Sequence, residues 1–149
     1  MTKGIATTSR GDQTAQPLTA SFVADATVEL SRFFRLWRNL GVPLAMFSRG
    51  IDRVWHDMLR DEATYKAFCC DTVGFPVRHG AAGGILYHGV YAPASANPAF
   101  DWIPAYERQH GSLPDIWFAD EDGLVDQNHL ALYREVGVIV SSWECTPQN

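Results

Sequence analysis

Ile51-Asp-Arg-Val-Trp-His-Asp-Met-Leu59 is the stretch on which the fold reading turns. Its apolar residues Ile51, Val54, Trp55, Met58 and Leu59 fall at i, i+3, i+4, i+7 and i+8, which is one face of a helix beginning near Ser48. A second helix is expected upstream over residues 26–40, with Asp25 as N-cap, Phe33, Phe34, Leu36 and Trp37 among its apolar set, and Gly41 then Pro43 as the stop. Downstream, Asp61 caps a third helix that turns Tyr65, Phe68 and Cys69 inward and ends near Gly74. A fourth runs over residues 127–135, capped by Asp126, with Leu130 and Tyr133 facing the core. Between the third and fourth lies a Gly/Pro-rich region, residues 75–114, with a short helix at 103–110. The β-branched run at 136–143 reads as a strand, and residues 84–91 are the partner the sequence offers it. The expected class is mainly α: a compact helical domain with a long Gly/Pro-rich loop and a small two-stranded β element.

Composition bounds what such a chain does. With 149 residues, 46% of them apolar and 19% charged, it has the makings of one soluble globular domain. Residues 1–20 are polar and lack the apolar stretch of a signal peptide, so they read as a flexible leader, with a single helical domain over 21–149. The longest uncharged run, residues 80–100, carries four Gly and two Pro and is no membrane span. A net charge of -5 argues against nucleic acid as a partner, and three cysteines with two adjacent suit a reducing, cytoplasmic setting. Arg32, Arg35 and Arg38, and the acidic run Asp120-Glu121-Asp122, read first as solvated polar faces. An Arg-lined pocket for an anion is the rival reading of the first.

The familiar catalytic signatures are missing: no phosphate-binding Gly-Lys-Ser/Thr loop, no Gly-x-Ser-x-Gly elbow, no His-Glu-x-x-His and no Cys-x-x-Cys. What remains is a middle region rich in metal-competent side chains: Asp52, His56, Cys69, Cys70, Asp71, His79 and His88. Asp52 and His56 are four apart on one helix and share a face. That face borders the apolar stripe, with His56 further towards solvent. A His on this helix, a Cys one helix later and a His on the adjoining loop can converge on zinc, iron or copper. Each also has a plainer use, since an inward Cys is a small core residue and a border His makes an ordinary hydrogen bond. Cys69 or Cys70 paired with His79 would be a nucleophilic arrangement instead, but an inward Cys69 lacks the access that chemistry needs.

The string Asp52-x-x-Trp55-His56, then Tyr65-x-x-Phe68-Cys69, then Gly74 and His79, resembles the glycine-rich domain-containing protein-like family. The similarity extends through Trp102-Ile-Pro-Ala-Tyr106, Gly111, Leu113-Pro114 and Trp117, covering roughly residues 45–118. Val77-Arg78-His79-Gly80 departs from the family's His pair before a Pro, the insertion over 80–98 is longer, and residues 119–149 have no counterpart. The resemblance implies a small helical domain in which His56, Cys69 and His79 form a metal site or a structural polar cluster, and it carries no reaction with it.

The expectation is therefore a metal-dependent protein, a small enzyme of specialised metabolism acting on a small-molecule substrate or ligand. His56, Cys69 and His79 hold a transition metal, and Asp52 and His88 are the candidate catalytic groups. Three protein ligands leave a coordination position open. Residues 80–98 would form a lid over it. The alternative is a non-enzymatic ligand-binding or protein-interaction module in which the same residues only pin helices together.

Overall fold

The computed structural model describes residues 17–81, 89–91, 98–141 and 145–148. Most of the expected leader lies outside these residues, as do His88 and positions 82–88 and 92–97 of the expected lid. Helix α1 spans Ala20–Leu40, α2 Arg49–Leu59, α3 Glu62–Thr72, α4 Trp102–His110 and α5 Gln127–Val136, with 3-10 turns at Pro98–Phe100 and Asp115–Phe118. The protein is mostly helical, as its apolar periodicity requires.

Capping chemistry sets the helix ends. Ser48, Asp61 and Asp126 each accept a backbone N–H three residues on, at 3.2, 3.1 and 3.1 Å, and start α2, α3 and α5 where expected. Helix α1 starts earlier than expected, at Thr19, whose Oγ1 accepts from the Phe22 amide at 3.0 Å. The added turns hold because Phe22 packs on the core beside Gly50, an anchor left outside the helix when Asp25 is taken as its N-cap.

Gly50 marks the tightest junction. Its N–H donates to the Ala119 carbonyl at 3.0 Å, and a Cβ there would meet the Asp120 carbonyl oxygen at 2.8 Å. Only glycine lets α2 sit this close to the chain after the second 3-10 turn. That contact fixes the first turn of α2, where Asp52 lies.

The core is aromatic. Trp55, Trp102 and Trp117 are fully buried, with Phe33 against Trp102 at 5.0 Å, Trp102 against Trp117 at 4.7 Å and Phe34 against Trp55 at 5.1 Å between ring centroids. Each such pair contributes about 0.5–1.5 kcal/mol beyond its buried area.

Two short antiparallel pairings complete the described fold. Strand β1 (Arg78–Ala81) pairs with β4 (Cys145–Gln148), His79 standing opposite Pro147. Strand β2 (Gly89–Tyr91) pairs with β3 (Ile139–Ser141). The second is the partnership read from the β-branched run. The first was not legible, because Cys145-Thr-Pro-Gln carries little strand character, and a proline is tolerated there only at a sheet edge. Among the described residues, no helix is long and apolar enough to cross a membrane.

Candidate metal centre

Asp52 and His56 reach the same point from one face of α2, and β1 brings His79 over them. The Asp52 carboxylate faces both imidazoles: Oδ1 lies 2.8 Å from Nε2 of His79, and Oδ2 lies 3.2 Å from Nε2 of His56. A carboxylate only accepts, so each ring nitrogen donates in these contacts. The two rings lie 4.2 Å apart, centroid to centroid. One ligand atom from each of the three residues lies within 4.8 Å of the other two. Exposure grades across the cluster, from 5% for the Asp52 side chain through 17% for His79 to 51% for His56, so the site is rooted in the core and opens at His56. The border position read for Asp52 becomes a buried one because His79 covers it.

Beneath the cluster runs a second polar layer. Trp55 Nε1–H donates to the Tyr65 hydroxyl at 3.1 Å, and that hydroxyl in turn donates to the Val77 carbonyl. The Trp55 ring stands edge-on to His79 at 4.4 Å. Burial, and behind it the Cys69 thiol within hydrogen-bonding reach, push the Tyr65 hydroxyl well above the usual tyrosine range. It therefore stays a donor.

The residues singled out from sequence divide four ways. His56, His79 and Asp52 come together. Cys69 does not join them: it is fully buried on α3 beside Tyr65, outside the trio and without the access a nucleophile needs. His88 lies outside the described residues. Asp120 is used in a turn, its Oδ1 accepting from the amides of Asp122 and Leu124 at 2.9 and 3.0 Å.

A separate buried network went unread. Glu29 on α1 is 5% exposed, and its Oε1 accepts from Tyr106 Oη at 2.5 Å and from Trp117 Nε1 at 2.9 Å. Arg32 donates to Glu29 Oε2 at 3.1 Å and to Tyr106 Oη at 3.0 Å, so it belongs to this network and not to a solvated arginine face. The signal was present: Glu29 falls at apolar spacing between Ala26 and Phe33, where a carboxylate needs buried donors.

Compared with protein-family models, with curated proteins and with solved structures, the chain matches none.

Proposed function

We propose that this is a metal-dependent protein in which Asp52, His56 and His79 take up one divalent transition metal, and that it acts as a small enzyme on a small-molecule substrate. The observation that carries this reading is the spacing of the three side chains. Ligand bonds of 2.0–2.1 Å to a tetrahedral ion put neighbouring ligand atoms about 3.3 Å apart. The His79 and His56 nitrogens lie 2.8 and 3.2 Å from the two oxygens of the Asp52 carboxylate, and one ligand atom from each residue lies within 4.8 Å of the other two, so small side-chain shifts would bring the trio to that figure. Two imidazoles and a carboxylate suit zinc, iron or copper better than magnesium or calcium. Asp52 takes the place first given to Cys69. The resemblance to the glycine-rich domain family at Trp55-His56 and His79 belongs to the same reading, as does a cytoplasmic setting for the free thiols of Cys69 and Cys70.

Bound there, the ion would polarise a substrate oxygen or activate a water at its open position. The chain's own part is to hold the two Nε2 atoms and the carboxylate together, with Asp52 dry and His56 at the mouth. A non-enzymatic module is the second reading. It is favoured by the fact that both imidazoles already satisfy the carboxylate, which would pin β1 to α2 with no metal.

Elemental analysis after reconstitution under reducing conditions separates the two. About one equivalent of metal is expected in the wild type and in Cys69→Ala, and none in Asp52→Ala, His56→Ala or His79→Ala. A folded wild type that takes up no zinc, iron or copper overturns the metal reading.

A further inference from the structure

We infer that Tyr65 is a positioning residue for His79, although it is not itself one of the three candidate ligands. Its single hydroxyl reaches two elements of the site at once. As a donor it holds the carbonyl of Val77, a buried residue two positions before His79, and so fixes the entry of β1. As an acceptor it takes the Trp55 Nε1–H at 3.1 Å, and the same indole stands edge-on to the His79 imidazole at 4.4 Å. Trp55 lies between Asp52 and His56 on α2, so the hydroxyl ties the strand carrying one imidazole to the helix carrying the other two ligands.

Helix α3 thereby acts on a site to which it contributes no ligand. This role also accounts for two of the three α3 residues drawn from the sequence pattern, Tyr65, Phe68 and Cys69. Tyr65 supplies the tie, and Cys69, one turn on, lies against its hydroxyl in the core. Removing the hydroxyl leaves the Val77 carbonyl and the Trp55 indole N–H without the partner that aligns them. The imidazole of His79 then loses its fixed distance to Asp52 Oδ1, while the tyrosine ring, stacked on Phe68 at 6.5 Å, still fills its place.

The consequence for metal uptake rests on the metal-site reading, so the test carries one readout that needs metal and one that does not. Tyr65→Phe is compared with Tyr133→Phe, which deletes another buried hydroxyl, one bonded to the Leu113 amide and Glu107. With cobalt(II) alone as the probe, Tyr65→Phe is expected to lose on the order of tenfold in affinity and to shift the visible cobalt bands. Tyr133→Phe should change neither, whatever its effect on stability. In the metal-free protein, the imidazole nitrogen and proton NMR signals of His79 should move in Tyr65→Phe and stay in place in Tyr133→Phe.

Wild-type cobalt affinity and unchanged His79 signals in Tyr65→Phe would overturn the inference. If the wild type itself takes up no cobalt, the functional reading fails, and the His79 signals alone decide whether Tyr65 positions the ring.

Discussion

Among the described residues two carboxylates are buried, and their surroundings make them opposites. Glu29 is 5% exposed and Asp52 3%. Glu29 is met by a phenol, an indole and a guanidinium, all of which donate to it; the indole and guanidinium have no lone pair for a metal, and the phenol oxygen already accepts from Arg32. Asp52 is met by two imidazoles, each of which can turn a lone pair to an ion in place of a hydrogen. A carboxylate held by fixed donors is a brace. One held by imidazoles, with one imidazole half in water, is the start of a site.

The largest expected effect tests that contrast on stability. Glu29→Ala leaves the Tyr106 hydroxyl, the Trp117 N–H and part of the Arg32 charge without their partner in the core. The loss should be about 3 kcal/mol, read from urea unfolding midpoints. Asp52→Ala should cost about 1 kcal/mol, because His56 is half exposed and has water to turn to. The reverse order would make Asp52 the brace and break the comparison.

The contrast also marks what the sequence could reveal. Helices α2, α3 and α5 were legible to their caps because Ser48, Asp61 and Asp126 act locally, within three residues. The pair Asp52 and His56 was legible for the same reason, four apart on one face. His79 could be named as a candidate, but its seat on Asp52 depends on β1 pairing with β4, sixty-odd positions along the chain and without a strand signal. Cys69 shows the converse: its chemistry suggested a ligand, whereas helix periodicity had already turned it to the core. Glu29 stood at apolar spacing, but two of its donors were hidden because they come from residues 106 and 117, on elements that only tertiary packing brings to α1.

Alkaline pH sharpens the account of the brace. Burial first, and then the Glu29 hydrogen bond, raise Tyr106 from 10.0 to about 12, and Tyr133 is likewise raised to about 12 by burial and Glu107. In the unfolded chain these phenols ionise near 10. Their contribution to stability is therefore intact below pH 10 and is lost as pH rises from 10 through 12. Circular dichroism followed alongside tyrosinate absorbance should show unfolding and ionisation advancing together in that window. Tyr106→Phe should make the alkaline limb shallower. A limb unchanged in that variant would mean that the Glu29 network does not hold the phenol's proton.

The smallest effect concerns a histidine outside both clusters. His129 Nε2 accepts the Val140 N–H at 2.9 Å, and its ring stands edge-on to Phe118 at 4.7 Å. Burial against these rings lowers its pKa below the ordinary 6.5, and the Asp126 carboxylate only partly opposes this. A protonated ring has no lone pair for Val140, so the folded state resists a proton that the unfolded chain accepts. Stability should fall as pH drops below 6.5 and level off beneath the lowered folded value. His129→Gln keeps a carbonyl acceptor and removes the titration. Its acid limb, read from thermal midpoints between neutral and mildly acidic pH, should be shallower than that of the wild type. The loss should be modest because the imidazole is only partly enclosed. The slope that survives the substitution is free of the His129 contribution. An identical slope in the variant would show that His129 meets its proton equally well in both states, and that the packing of Phe47 and Phe118 around it does not exclude water.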